Sequence, residues 1–303
     1  MAAQAGRLNY KFSRNLKERA VEAVLMGCGM VAVFTTVAIV WILVSEAIPF
    51  FEHVSLATFL TDTMWTPLFS TPRYGILPLL LGTVTTSLVA LAVAVPLGTV
   101  IAIYISEFAS PRVREIVKPF LELLGGVPTI VYGYFALTVV SPVLQYFFPS
   151  LPGFSMLAAG LVMGIAIVPY ISSLSEDAMR AVPMSLREGA YAMGSTRFQT
   201  AVRVVLPAAI SGVLSAYILG ISRAVGETMI VAVAAGMQPN FTMDPTQPAQ
   251  TISAYIVQVA MGDLPHGSIG YQSIFAAGLS LMLLTLFFNI MGHLIRRRYR
   301  EAY

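Results

Sequence analysis

The chain has 303 residues, of which 57% are hydrophobic and 11% are charged, and its formal net charge is +3. Ordinary soluble domains are about 45 to 50% apolar and about 25% charged, so this composition excludes a soluble globular protein and indicates a polytopic membrane protein. The small positive charge reflects basic loops between membrane spans, so we expect membrane lipid around the chain and no nucleic-acid partner.

Uncharged runs of about 20 residues, the length needed to cross a hydrocarbon core, predict an all-α fold with six transmembrane helices. The uncharged stretch 123–175 is too long for one helix, and the segment 149–153, rich in Pro and Gly, divides it in two. A kink is expected at 125–128. The predicted spans are 23–44, 76–105, the two halves of 123–175, 208–235 and 273–292.

Basic side chains alternate between the loops on the two sides of the membrane, and cytoplasmic loops carry the excess of Lys and Arg. The loops on the other side hold only Arg73. Both termini are therefore predicted to lie in the cytoplasm. The predicted cytoplasmic basic residues are Arg7, Lys11, Arg14, Lys17, Arg19, Arg112, Arg114, Lys118, Arg180, Arg187, Arg197, Arg203, Arg296, Arg297, Arg298 and Arg300.

Cysteine and histidine give no sign of a metal site or a cofactor. Cys28 is the only cysteine and falls inside the first predicted span, which excludes an intramolecular disulfide and a cysteine metal cluster. The histidines, His53, His266 and His293, lie far apart and show no ligand spacing. We therefore predict no metal and no cofactor.

A polar segment, residues 176–207, separates the fourth and fifth predicted spans. Ser185 followed by Glu188 three residues later is typical of a capping box, which predicts the start of a short helix. Gly194 fits a left-handed residue after the last turn of that helix. This segment is therefore expected to begin with one short surface helix.

The second half of the polar segment predicts another short helix, because Thr196 and Gln199 repeat the capping-box spacing. An apolar stripe is expected along one side of this helix, with Arg197, Thr200 and Arg203 facing elsewhere. Together the two helices would form an amphipathic elbow. The predicted stripe comprises Phe198, Ala201, Val202, Val205 and Leu206.

The elbow resembles the signature of the permease subunits of ATP-binding-cassette (ABC) importers. That signature reads Glu-Ala-Ala, three residues, Gly, nine residues, Ile, any residue, Leu-Pro, and this chain keeps every spacing, with Gly189 for an alanine and Val204 for the isoleucine. The resemblance implies a type I ABC importer permease fold whose elbow binds a groove of a cytosolic ATPase. It assigns this coupling to Glu188, Gly189, Ala190, Gly194, Leu206 and Pro207.

The chain lacks the sequence features of an ATPase. A phosphate-binding loop needs Gly-Lys followed by Ser or Thr, and no Gly-Lys pair occurs anywhere in the sequence. Neither a Gly-x-Ser-x-Gly elbow nor a zinc-protease helix pattern is present. We therefore expect a transport subunit that is not itself an enzyme, with ATP hydrolysis in a separate partner.

Arg223 falls near the middle of the fifth predicted span, where inserting an arginine costs about 2.5 to 3.5 kcal/mol. Glu227 follows one helical turn later and is predicted to reach Arg223 across i, i+4. One interpretation is a structural ion pair that holds the helices together. In the other, Arg223 lines a translocation path and receives an anion, while Glu227 keeps the path near neutral.

Three segments look like those of the C-type permease subunit of the phosphate-specific (Pst) transport system: 122–133 (ELLGGVPTIVYG), 167–171 (IVPYI) and 222–229 (SRAVGETM). The resemblance covers about residues 75 to 295. It implies a phosphate importer in a bacterial inner membrane. The implied partners are a second, A-type permease, two copies of the cytosolic ABC ATPase and an extracytoplasmic phosphate-binding protein.

On this basis the chain divides into an N-terminal segment of residues 1–75, a core permease domain of residues 76–295 and a basic tail of residues 296–303. Three other functions stay open. A permease for another oxyanion, such as sulfate or molybdate, would share the elbow. A channel or secondary carrier would leave the elbow unexplained. A membrane scaffold or signalling protein would leave Arg223 without a role.

Overall fold

The computed structural model describes the backbone of residues 2–298 and the side chains of residues 18–298. Within that range the regular elements are helices, and two isolated bridges, Trp65 with Tyr74 and Gly236 with Ala249, tie loops together. The side chains of Arg7, Lys11, Arg14 and Lys17, and all of Arg300, lie outside the described residues. The prediction of an all-α fold is confirmed.

The described residues contain five helical stretches long and apolar enough to cross a bilayer. Two further helices, Arg197–Ala208 and Ile210–Val225, meet at 74° and give a sixth span if they are counted as one. The prediction of six spans is confirmed when this bent pair is counted as one span. The five stretches are Glu18–His53, Leu77–Phe108, Thr129–Phe147, Met156–Arg180 and Ile269–Arg298.

The centre of the bundle is the pair formed by α3 (Leu77–Ile103) and α7 (Met156–Arg180). Their backbones approach closely at Gly160 and Gly164, where a Cβ atom would lie 2.6 Å from Cγ1 of Val89 and 2.7 Å from the carbonyl oxygen of Ala90. Small residues permit such an approach between membrane helices. This close contact makes α7 the most buried of the candidate spans.

The chain's first helix, α1 (Ala2–His53), contacts its last, α14 (Ile269–Arg298). Leu43 of α1 lies over Gly278 of α14, whereas residues 18–37 of α1 are exposed. Beyond this contact, α1 leads into α2 (Leu56–Thr61) and a buried aromatic cluster at the end of the bundle opposite the elbow. Its rings, which meet edge to face, are Phe50, Phe59, Trp65, Tyr74 and Tyr255.

The predicted start of the third span at residue 123 is wrong. Residue 123 lies inside a separate helix, α4 (Pro111–Gly126). The chain is extended at Val127 and Pro128, and α5 (Thr129–Phe135) begins the span. Proline cannot donate a backbone hydrogen bond and disfavours a helical conformation at the residue before it, so the expected kink is a complete break. The span continues through a π-helical turn into α6 (Ser141–Phe147).

The predicted fifth span, 208–235, is also broken. Helix α11 (Ile210–Val225) ends before Gly226, and a second, short helix, α12 (Met229–Ala234), follows. Glycine is unfavourable inside a helix, and the carboxylate of Glu227 accepts the N–H groups of Met229 and Ile230, which favours a new helix start. An irregular segment with turns then leads to α13 (Ile252–Gln258), which packs against α14.

Candidate coupling elbow and membrane arginine

The first helix of the elbow is α8 (Met184–Ala192), and the capping box predicted for Ser185 and Glu188 is wrong. The N-cap is Pro183, with no side-chain cap, so both residues lie inside the helix. Pro183 has φ −57° and ψ 141°, and its carbonyl oxygen accepts from the N–H of Leu186. The proline therefore starts the helix two residues earlier than a Ser185 cap would.

The end of α8 agrees with the prediction for Gly194, which is left-handed with φ +82°. The N–H of Gly194 donates to the carbonyl oxygen of Tyr191 at 2.9 Å, and that of Ser195 donates to Ala190 at 3.1 Å. These two bonds form a Schellman motif, which satisfies carbonyls left over at a helix end. The elbow's bend is therefore fixed by hydrogen bonds at this point.

The capping box of the second elbow helix is confirmed. The N–H of Gln199 donates to Oγ1 of Thr196 at 3.3 Å, and the N–H of Thr196 donates to Oε1 of Gln199 at 3.0 Å. Helix α9 (Arg197–Thr200) then continues through a π-helical turn, Ala201–Val205, into α10 (Leu206–Ala208). The bend to α11 follows directly.

The predicted apolar stripe of the second helix is partly wrong, because Phe198 is 65% exposed whereas Thr200 is fully buried. Arg197 and Arg203 are exposed, as expected. The π-helical turn holds more residues than an α-helical turn. Residues before and after it therefore do not share one period of 3.6, and the residues that line up with Val205 on the buried side are Thr200 and Ala201 instead of Phe198. The buried side is instead Thr200, Ala201, Val205 and Ala209.

The outer surface of the elbow, here called the elbow face, consists of Met184, Glu188, Gly189, Met193 and Phe198. All five are exposed, and Met193 reaches 86%. A cluster of large exposed apolar side chains beside a charge is typical of a protein contact surface. Of the other predicted coupling residues, Ala190 and Leu206 are half-buried, and Pro207 is exposed.

Arg187 anchors the elbow to the rest of the bundle, a role that no spacing in the sequence indicates. Its guanidinium binds both oxygens of Glu107, at 2.9 and 3.3 Å, at the end of the second span. It also donates to the carbonyl oxygens of Val182 at 2.6 Å and Met179 at 2.9 Å. Arg187 is only 9% exposed, and Glu107 offers no sequence signal because it lies 80 residues earlier.

A second ionic cluster ties α4 to the end of α7. Glu176, 1% exposed, lies 2.9 Å from nitrogen atoms of both Arg114 and Lys118 and 3.7 Å from Arg180. Lys118 also contacts Asp177 at 2.8 Å, and this hydrogen bond raises the pKa of the lysine, with a further contribution from Glu176. Helix α4, which lies between spans two and three, is therefore held against α7, the helix that leads into the elbow.

Arg223 is not paired with Glu227, so the predicted i, i+4 ion pair is wrong. The helix ends between the two residues, and Glu227 instead accepts the N–H groups of Met229 at 3.2 Å and Ile230 at 3.4 Å. Within residues 18–298, Arg223 has neither an ion pair nor a hydrogen bond. Its guanidinium carbon lies 4.1 Å from the centre of the Tyr170 ring, a cation–π contact.

The three Pst-like segments meet around this arginine. Tyr170, in 167–171, lies under Arg223 of 222–229 and donates its hydroxyl to the carbonyl oxygen of Gly125, in 122–133, at 2.9 Å. The break that follows α11 at Gly226 and the break between α4 and α5 therefore lie close together. Across the 18–298 region no three Asp, Glu, His or Cys side chains lie close enough to hold a metal ion.

The helical arrangement is similar to that of a chain in the crystal structure of a bacterial alginate ABC transporter in complex with an alginate pentasaccharide-bound periplasmic protein. The TM-score is 0.60 at 18% identity, over 90% of this chain and 96% of that chain. At this identity the likeness concerns the fold alone. The fold and the elbow define the class: a membrane-spanning subunit of a type I ABC importer.

Residues 94–301 match the family described as the inner membrane component of binding-protein-dependent transport systems. The chain is 35% identical to the probable ABC transporter permease protein YqgH of Bacillus subtilis, over 94% of this chain and 93% of the relative. It is also 35% identical to the phosphate transport system permease protein PstC of Mesorhizobium japonicum, over 75% and 74%. The chain belongs to this family of multi-pass inner membrane components, in its PstC-type branch.

Membership implies two kinds of partner, an ATPase that supplies energy and a periplasmic binding protein that delivers the substrate. The exposed elbow face fits the first of these. It lies on the two short helices that carry the importer signature, at the end of the bundle where α7 ends and α11 begins.

Proposed function

We propose that the chain is one of two permease subunits of an ATP-driven phosphate importer, and that it has no enzymatic activity of its own. It would pair with a similar A-type subunit, and each would bind one copy of the ATPase through its elbow. Both termini would lie in the cytoplasm. The support is the PstC-type relatives, the elbow and the arginine inside the membrane.

Arg223 carries the proposal for an anionic substrate. A guanidinium that stays charged and has no acidic partner in the described region keeps its planar set of donors available, and that set matches the oxygens of phosphate. Tyr170 holds the group by its ring without using those donors. A structural arginine would instead be expected to have its donors satisfied.

Glu227 has a different proposed role in the same path. Its carboxylate caps α12, and its carbonyl oxygen accepts from the hydroxyl of Ser253 at 2.6 Å, so it holds together the break at 226–228. We place it beside the path as a negative charge that keeps the empty site near neutral. Arg223 then binds the anion only transiently, which passage requires.

The coupling residues remain Glu188, Gly189, Ala190, Gly194, Leu206 and Pro207. Gly194 fixes the bend, and Glu188 and Gly189 lie on the exposed elbow face. We keep the domain division at residues 75 and 295, although residues 296–298 continue α14 and 299–303 lie outside the described residues.

The test is phosphate uptake by the assembled transporter in proteoliposomes, normalised to complex recovered. Arg223→Gln should assemble and lose uptake by at least about a hundredfold, the size of effect expected from removing a charged donor to an anion. Arg223→Lys keeps the charge but not the planar fork and should retain some of the activity. Arg112→Gln, an exposed arginine of α4, is the matched control and should transport normally.

Two results would contradict the proposal. Restoration of uptake in the double variant Arg223→Gln, Glu227→Gln would return Arg223 to the role of a structural charge. Sulfate or molybdate uptake exceeding phosphate uptake in the unchanged transporter would assign the path to another oxyanion.

A further inference from the structure

A polar groove lies between α11 and α14, at the end of the bundle that carries the elbow. Two adjoining cavities, of about 540 and 230 Å³, share Ser215, His293 and Arg296, so they form one continuous groove. Ser211 and Arg297 line the larger cavity, and Asn289 lines the smaller. The elbow, the Arg187 anchor and Arg223 all lie outside this lining.

The groove is rich in positive charge and hydrogen-bond donors. Arg296 contacts Nδ1 of His293 through Nη2 at 3.1 Å, and a guanidinium can only donate in such a contact. Neither Arg296 nor Arg297 pairs with a carboxylate within residues 18–298, and no Asp or Glu lines the cavities. The chemistry therefore favours an anion.

The groove lies where an apolar helix surface ends. The apolar run of α14 stops at Ile295 and the arginines follow, which is the usual place of a bilayer boundary. Further along α14, away from the arginines, large apolar side chains are exposed. These are Leu283, Leu286, Phe287 and Ile290. A ligand with a negative headgroup and long apolar chains matches both features.

We propose that this groove binds the headgroup of an anionic phospholipid, whose acyl chains lie along the exposed side of α14. The phosphodiester accepts hydrogen bonds from Arg296 and Arg297, in the way that basic pockets between membrane helices bind acidic headgroups. Ser211, which makes no hydrogen bond through its hydroxyl within the described residues, adds a neutral donor. Arg223 is not among the residues that line the groove, although its neighbour Ser222 donates to Oδ1 of Asn289 at 3.0 Å.

The test measures phospholipid bound to the assembled transporter by native mass spectrometry, titrating phosphatidylglycerol or phosphatidylcholine into detergent. Phosphatidylglycerol should bind more tightly than phosphatidylcholine. Removing both charges in Arg296→Gln, Arg297→Gln should weaken phosphatidylglycerol binding about thirtyfold, at about fivefold for each arginine that donates directly to the headgroup. The matched control, Arg112→Gln with Arg298→Gln, loses the same charge from exposed positions outside the groove and should bind normally.

A second variant, Ser215→Leu, fills the groove and retains every charge, so it should also lose phosphatidylglycerol binding. Normal binding by both groove variants, or equal loss in the control pair, would overturn the proposal. Displacement of phosphatidylglycerol by millimolar inorganic phosphate would assign the groove to free phosphate instead and overturn the lipid assignment.

Discussion

Two arginines in this chain lie in very different surroundings. Arg187 has four contacts to oxygen atoms, two on Glu107 and one each on Val182 and Met179. Arg223 has a ring beneath it and no acidic partner in the described region. The same side chain therefore serves as an anchor where its donors are used within the chain, and as a candidate binding group where they are left free.

The largest expected effect concerns the anchor. Removing one partner of a buried ion pair costs about 3 to 5 kcal/mol, so Arg187→Met and Glu107→Gln should each lower the free energy of unfolding by an amount of that order. Arg187→Met should cost more, because two carbonyl oxygens also lose their donor. Denaturant titration of the purified protein in detergent measures both changes.

The exposed Arg203→Met of the elbow is the control and should change stability little. If Arg223→Gln proved as destabilising as Arg187→Met, the distinction between anchor and binding arginine would be lost.

A smaller effect is expected on phosphate uptake when the residue that positions Arg223 is changed. That residue is Tyr170, whose ring lies 4.1 Å from the guanidinium carbon. Tyr170→Leu removes a half-buried cation–π contact of up to about 2 kcal/mol and should reduce phosphate uptake up to about thirtyfold. Tyr170→Phe keeps the ring and loses only the hydrogen bond to Gly125, so its uptake should stay near normal. Equal losses in the two variants would show that the hydrogen bond, and not the ring, positions the site.

The smallest expected effect tests the elbow's backbone. Gly194 has φ +82° and open space where a Cβ atom would lie, so Gly194→Ala costs only conformational strain, about 1 to 2 kcal/mol. That strain should weaken the binding-protein-stimulated ATP hydrolysis of the complex while leaving unfolding of the spans almost unchanged.

Gly189→Ala is the matched control, because Gly189 lies inside α8 with equally open space and without a positive φ. It should be neutral or stabilise the helix by about 0.5 to 1 kcal/mol. Loss of stimulated hydrolysis in both variants alike would show that the elbow's surface, rather than its bend, limits coupling.

Local chemistry made some of the fold predictable. Gly194 and the Thr196–Gln199 capping box depend on residues within a few positions of one another, and both predictions are confirmed. The start of α8 was missed because Pro183 competes with Ser185 for the same helix start. The break at Gly226 was missed because the apolar run continues on both sides of it.

Contacts between distant segments could not be predicted in the same way. Glu107 and Arg187 are 80 positions apart, and Lys118 and Glu176 are 58 apart, so no periodicity or spacing connects them. In a continuous helix Arg223 and Glu227 would lie one turn apart and could pair. The predicted pair is wrong because α11 ends at Val225, between the two residues. The three family-like segments indicated where the site lies, but not that Tyr170 joins them.

The contact between α1 and α14 has a consequence for how the protein is made. Leu43 enters the membrane early in synthesis, whereas Gly278, on which it rests, belongs to the last helix. Until α14 has been made, α1 lacks its main contact within the bundle, and the aromatic cluster lacks the residues that α14 adds to it, Ala276 and Ala277. The contact between α1 and α14 therefore forms only after α14 has been synthesised, and a ribosome stalled before α14 would leave Leu43 without its partner Gly278.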